Sequence, residues 1–411
     1  MRIKLSGLNQ LAAALLCLVA VFVNFIICQQ SLRDFGTVSD LPEFYCPARL
    51  VASHNGNQVY DLSSLRRAEN ELFPSLNGRT IVLFVPPPGI PWLVPFACVP
   101  AHIIPVFWKV IGTLALLIST VLLGNVFSLT LQNCLWLIAW LGLTAPLVEA
   151  LRMDQLAPFL LLAFCLALWA IKRKRPVLAA LALSFYCLKP HEIAPFLIVL
   201  LACNRISILA YGVAFSLLLA LISVICLGFD GIANYAKVLS LTPSEYATIY
   251  MRDEIGPNYR GQLLRLFPHS SHTIALVSFA LMLLTLFMIF MTMRRFSKST
   301  HWLEVGTLVS MPLRLLSCVH CLPYDLILLT PSIVALLKYR SKLEVHSWLI
   351  FSLPIFAVFF FFPIYSKING LYVKNGGVVN PFFICLLIFA ISVFVLVNAN
   401  AAKLKDFLDN T

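Results

Sequence analysis

Apolar runs of bilayer-crossing length recur along almost the whole chain, and short clusters of Lys and Arg punctuate them. The runs fall at about 10–28, 105–126, 132–150, 155–171, 176–188, 190–203, 206–228, 273–293, 302–318, 322–338, 347–365 and 380–398. A crossing helix needs about 20 apolar residues, so the shorter runs need flanking residues or tilt to span. Only 12% of the 411 residues are charged and 60% are hydrophobic, against roughly 25% charged in a soluble domain. That deficit excludes a soluble globular fold. The expected class is an all-α polytopic membrane protein with about 12 transmembrane helices, organised as a single transmembrane domain over 1–411.

The net charge of +12 does not point to nucleic acid. The cations cluster between apolar runs, at Arg2/Lys4, Lys172–Arg175, Arg294/Arg295/Lys298, Lys338/Arg340/Lys342 and Lys403/Lys405, which is the positive-inside pattern. Half of the twelve cysteines (Cys17, Cys134, Cys165, Cys203, Cys226 and Cys385) sit inside apolar runs, where cysteine acts as a small hydrophobe. The Cys318-Val-His-Cys321 spacing lacks a second ligand pair and does not define a metal or redox site. Leu11–Cys28 follows Arg2 and Lys4 without a small-residue cleavage site, so it reads as a retained first span.

The segment Ile81–Pro105 is apolar but carries seven prolines, too many for a regular helix. Counted as re-entrant or interfacial rather than crossing, it leaves both termini and the cation clusters on the cytoplasmic side. The opposite face then receives two long loops, 29–105 and 229–272, together with the Arg152–Gln155 turn, Lys189-Pro190, the His320 turn and Tyr365–Val379. Long loops in a compact protein are usually functional. The two halves show no matched interrupted helices, which argues mildly against an inverted-repeat transporter.

Several polar residues on that face need a reason. Asp40 precedes a helical-looking stretch, Phe44–Ala52; it suits an N-cap and equally a general base. Glu43 and Arg49 either orient a ligand or pair with each other. Arg152 is the expected partner of Glu149 or Asp154, and Gln155 is an amide placed to hold a sugar or phosphate. Lys189 either snorkels to the headgroups or presents a point charge to a phosphate. His320 lies between two spans. Asp325, in Tyr324-Asp325, is costly in an apolar helix unless a group such as Arg314 pairs with it. Arg252, Arg260 and Arg265, around Asn258, suit an amphipathic helix at the interface. No P-loop, Gly-x-Gly-x-x-Gly, His-Glu-x-x-His or Gly-x-Ser-x-Gly pattern is present, so neither a cofactor nor a metal is expected.

Taken in order, these motifs resemble the GT-C membrane glycosyltransferases, most closely glycosyltransferase family 87. The first-loop acidic motif of that family is matched by Asp40-Leu-Pro-Glu43-Phe-Tyr45-Cys-Pro-Ala-Arg49, then Gly56 and Tyr60-Asp61. Val85-Pro-Pro-Pro88 stands where the family has Tyr-Pro-Pro, and Asp154-Gln155 where it has Gly-Gln. Lys189-Pro190 and His320–Leu326 match two further elements.

The resemblance implies a GT-C-type helical bundle that moves a hexose, mannose favoured, from a polyprenyl-phosphate-linked sugar donor to a hydroxyl of a glycolipid or glycan acceptor. It implies inversion, with Asp40 as catalytic base. Lys189, His320, Arg260, Gln155 and Tyr324 would meet the donor phosphate or sugar, supported by Glu43, Tyr45, Arg49, Asp154, Asn258, Asp325 and Arg314. The implied setting is the bacterial inner membrane, among membrane lipids, with the site facing the periplasm. A transporter or lipid flippase using the same outward-facing polar cavity is the alternative.

Overall fold

A computed structural model describes residues 2–35, 39–240, 255–268, 270–339, 354 and 379–399. The expected run at 347–365, the loop Tyr365–Val379 up to residue 378, and Arg252, Arg340, Lys342, Lys403 and Lys405 lie outside the described residues.

The described elements are α-helices and short 3-10 turns. Helix α1 (Arg2–Arg33) leads to α2 (Leu41–Ala52), α3 (Leu62–Leu72) and the single turn α4 (Ile90–Leu93). Then come α5 (Ile104–Phe127), α6 (Leu131–Gly142), α7 (Ala145–Arg152), α8 (Ala157–Lys172), α9 (Pro176–Ser184), α10 (Pro190–Ala202) and α11 (Ile206–Leu239). After them stand α12 (Tyr259–Leu266), α13 (Ser271–Phe296), α14 (Trp302–Ser317), α15 (Thr330–Tyr339) and α16 (Pro381–Ala399).

The connections are tight because several helices end in one motif. Ser128, Asp154, Lys174 and Asn204 are left-handed, with φ of 55–57°. Each is followed by a residue whose N–H reaches the carbonyl five positions back: Leu129 to Gly124, Gln155 to Ala150, Arg175 to Ala170 and Arg205 to Leu200. This Schellman arrangement satisfies the last carbonyls of the helix. None of the four is glycine; Ser128 and Lys174 carry a left-handed cost of roughly 1–2 kcal/mol, which Asp154 and Asn204 bear more easily.

The expectation of about 12 spans is not upheld. Among the described residues, five helical stretches are long and apolar enough to cross: Asn9–Arg33, Ile104–Phe127, Ile206–Leu239, His272–Phe296 and Pro381–Asn398. The count becomes six if α6 and α7, bent by 60°, act as one. The other expected runs form shorter helices. Helix α8 has 16 residues, α10 has 13 and α14 has 16, while the runs at 176–188 and 322–338 break into a 3-10 turn and a short helix.

The reason is burial. A helix surrounded by protein is as apolar on every side as one facing lipid, yet it need not match the bilayer thickness. Helix α14 is buried at every position from Trp302 to Ser317 and packs against α10, α13, α15 and α16. Helices α1, α11 and α13 instead present exposed apolar side chains such as Phe22, Ile225 and Phe287. The chain is thus a helical membrane protein with long outer helices around a short-helix core.

The proline-rich segment forms 3-10 turns at Pro87–Gly89 and Val94–Cys98 around α4. Helix α11 clamps it, with Ser223 Oγ donating to Pro87 O at 2.6 Å. The same helix presses on the Gly56–Gln58 turn, where a Cβ on Gly56 would sit 1.9 Å from Cys226 O. Residues 229–239, expected to open the second outer loop, continue α11 beyond Gly228, whose φ of 66° breaks the helix.

Candidate functional site

Asp40 occupies the N-cap position of α2, but its side chain makes no capping bond. Pro42 in the first turn removes one of the N–H groups a cap would serve. The carboxylate instead accepts from Gln155 Nε2 at 2.5 Å, while Asp40 N donates to Met153 O at 2.9 Å. Gln155 is delivered by the left-handed turn that ends α7.

Asp154, the residue making that turn, is a strut rather than part of the open site. It is buried, accepts from Ser39 Oγ at 2.6 Å and pairs with Lys109 at 2.6 Å. Lys109 also donates to Leu151 O at 2.8 Å. Sequence reasoning missed Lys109, although a lone lysine in the first turns of an apolar span is itself a signal. Arg152 pairs with Glu149 at 3.3 Å, so it leaves Asp154 to Lys109.

Glu43 follows Asp40 by three residues, on the same side of α2. Burial first, then the charge of Asp40, pushes its carboxyl up to about 8, although Phe84 N donates to it at 3.4 Å. Asp40 is pushed up to about 7, mainly by burial; the Gln155 hydrogen bond works against this and the Asp154 charge adds to it. Arg79 and Lys189 act on Asp40 from a distance and favour its ionised form. Of the two readings of Glu43 and Arg49, the mutual pair does not form. Six helical positions place the two about 120° apart around the axis, and Arg49 donates to Ala97 O at 2.9 Å. Tyr45 is fully buried and donates to Val99 O at 2.6 Å, a packing role.

Lys189 lies where the turn after α9 meets α10, within electrostatic reach of both Asp40 and Glu43. It pairs with Asp325 at 2.9 Å, faces Glu192 at 3.8 Å and lies 5.3 Å from the Tyr324 ring centre. Arg314, fully buried in α14, pairs with Glu192 at 2.5 Å and stacks on Tyr186 at 4.9 Å. The expected Arg314–Asp325 pair is therefore exchanged. Asp325, Lys189, Glu192 and Arg314 alternate in sign and cancel, which is how charges survive in a core. Asp325 also accepts from Leu322 N at 2.9 Å, closing the 3-10 turn Pro323–Leu329. Both carboxylates are shut off from solvent, whereas the Lys189 side chain keeps 14% of its surface. An ammonium has three donors, so one bond to Asp325 leaves capacity for a ligand.

His320 borders this cluster, its carbonyl 3.2 Å from His191 Nε2. Asn258 caps α12 through Gly261 N and donates to Cys318 O at 2.9 Å, which ties α12 to the end of α14. Arg260 stands half-buried on α12, one residue after Tyr259. The segment after Asn258 is helical, as α12, and is tethered through Asn380 N to Gln262 Oε1 at 2.8 Å.

An oriented carboxylate and a lysine held between two buried carboxylates thus stand together within a bundle of apolar helices. A sequence profile of Glycosyltransferase family 87 matches residues 84–319, more than half of the chain. The chain belongs to that family, within the GT-C superfamily, and is a glycosyltransferase. The match includes Gln155, Lys189, Asn258, Arg260 and Arg314; Asp40 and Glu43 precede it, and His320, Tyr324 and Asp325 follow it. No curated protein and no solved structure matched the chain.

Proposed function

We propose that this glycosyltransferase moves a hexose, with mannose favoured, from a polyprenyl-phosphate donor to an acceptor hydroxyl, with inversion at the anomeric carbon. Asp40 takes the hydroxyl proton as the oxygen attacks that carbon. The bond to the phosphate oxygen breaks, and the lipid phosphate leaves with its electron pair. A phosphate leaving group needs no general acid, only cations for the charge it gains. Lys189 fills that role first, His320 and Arg260 come after it, and Tyr324 and Gln155 meet the sugar or phosphate. Asp325 and Glu192 hold Lys189 in place, and Arg314 neutralises Glu192.

The observation that carries the proposal is the Asp40 carboxylate. It stands at a helix N-terminus without capping it, is oriented by the Gln155 amide, and has a pKa of about 7. A base poised near the working pH is the efficient one. The cation-rich ends of α8, α10 and α13 lie at the opposite end of the bundle, and the positive-inside rule assigns that end to the cytoplasm. The Asp40 end then faces outward, where an acceptor glycolipid or glycan arrives.

Replacing Asp40 by Asn keeps an acceptor for Gln155 and is expected to lower transfer from polyprenyl-phosphate mannose by roughly 10²–10⁴-fold, with donor binding retained. The assay is radiolabelled sugar transfer in proteoliposomes. Near-normal transfer by Asp40→Asn would sink the assignment of the base. Accumulation of donor across sealed vesicles without glycosylated product would indicate transport instead.

A further inference from the structure

Helices α8 and α10 start at the acidic site, α14 ends there, and their other ends meet about 20–24 Å away at 1.5 Å per residue. At that far end lies a cavity of about 440 Å³. Its wall carries Lys172, Lys174, Arg175 and Arg205, with the hydroxyls of Ser207 and Thr300. No proposed role at the sugar-transfer site uses these residues.

Positive charge here is in excess and organised. The one acidic lining residue, Glu304, already faces His301 at 3.6 Å and Lys338 at 3.5 Å. Among the described residues, no carboxylate stands within ion-pair distance of the four lining cations. Lys172 donates to Val126 O. Arg205 lies 4.5 Å from the Trp302 ring centre, and its Nε is buried without a hydrogen bond. Three helices also begin at the cavity, α9, α11 and α14. Their N-cap residues Arg175, Arg205 and His301 make no side-chain capping bond, and only α14 carries an acidic residue, Glu304, in its first turn. Clustered cations select an oxyanion, helix N-termini beside them add to the preference, and guanidinium forks match phosphate in particular.

The surroundings favour lipid as the source. Val177, next to the lining residue Pro176, is 47% exposed, and Ile206, next to Ser207, is 55% exposed. Acyl chains against these side chains would lead a headgroup into the cavity.

We propose that this cavity is a second lipid site, remote from sugar transfer, which seats the phosphate of an anionic phospholipid headgroup. Native mass spectrometry of the full chain in detergent, titrated with phosphatidylglycerol, reads the binding directly. The paired change Lys174→Gln/Arg175→Gln is expected to weaken the first bound lipid at least tenfold. The pair Arg295→Gln/Lys298→Gln removes the same charge at the same end but outside the cavity, and leaves that lipid in place. Arg205→Gln alone is expected to weaken it too, and serves if the loop pair fails to fold. In a parallel arm, inorganic phosphate is titrated calorimetrically into the chain in neutral-lipid nanodiscs. Saturable phosphate binding that depends on Arg175 and Arg205, with no retained phosphatidylglycerol, would keep the phosphate site and overturn the lipid source. Equal weakening by both double variants, or binding of neither probe, would reduce the cavity to diffuse surface charge and overturn the proposal.

Discussion

At the scale of single residues, the proposed base Asp40 and its neighbour Glu43 are expected to set how sugar transfer responds to pH. Asp40 ionises first, near 7, while Glu43, pushed up to about 8, keeps its proton. A base must be ionised to act, so kcat/KM is expected to rise with pH up to about 7 and then level. Gln155→Met removes the bond that favours the ionised carboxylate and is expected to move this limb to more alkaline pH. Glu43→Gln should leave it in place, because Glu43 is still neutral when Asp40 titrates. A shift of the limb in the second variant and not in the first would contradict the assigned order. Stability runs the other way. A carboxyl whose pKa is raised on folding stabilises most below the ordinary carboxylate range, and that contribution is lost as pH rises through the folded value. Glu69, buried and pushed up to about 8 while it accepts from Ile81 N, adds to this. Thermal midpoints in detergent are therefore expected to fall from about pH 5 to about pH 9, and Glu69→Gln should flatten the decline. Asp40, Glu43, Gln155 and Lys189 could be singled out from sequence because each is polar among apolar neighbours. Their partners could not. The Arg314–Glu192 and Lys189–Asp325 pairs join residues 122 and 136 positions apart, and no local pattern says which of two carboxylates a buried cation meets.

At the scale of elements, the site depends on contacts that hold short pieces of irregular backbone. The Lys109–Asp154 pair fixes the turn that presents Gln155. Breaking one partner of a buried pair costs about 3–5 kcal/mol, so Lys109→Met is expected to destabilise strongly, and Lys109→Met/Asp154→Asn to recover part of the loss. Additive losses in this thermal double-mutant cycle would show that the two charges do not interact. Gly56 is the second such point. Its Cα passes so close to the α11 carbonyl of Cys226 that Gly56→Ala must push the first-loop segment off α11, with lower stability and lower transfer measured together. The start of α10 was legible from Pro190, and the failure of Ile81–Pro105 to form a long helix from its prolines. The Schellman ends were not, because Ser128, Asp154, Lys174 and Asn204 replace the glycine that usually marks them.

At the scale of the whole molecule, the bundle has two unlike ends, acidic and polar at Asp40 and cationic at Lys172–Arg175 and Arg205. Single cysteines introduced at the exposed positions Ser75 and Lys174 are expected to react with a membrane-impermeant maleimide from opposite sides of sealed vesicles, above the wild-type background. Labelling of both from one side would refute the proposed sidedness. Amino-acid composition and run length by themselves determined that the chain is helical and lives in lipid, because too few charged residues exist to cover a soluble surface. They also marked most of the polar positions proposed for the site. Hydropathy could not count the spans, since it scores an apolar side chain alike whether it meets lipid or protein. Only the tertiary structure separated the five long apolar stretches from buried α8, α10 and α14. It alone decided which carboxylate is oriented and which is a strut, because buried charges settle by distance and desolvation rather than by order along the chain.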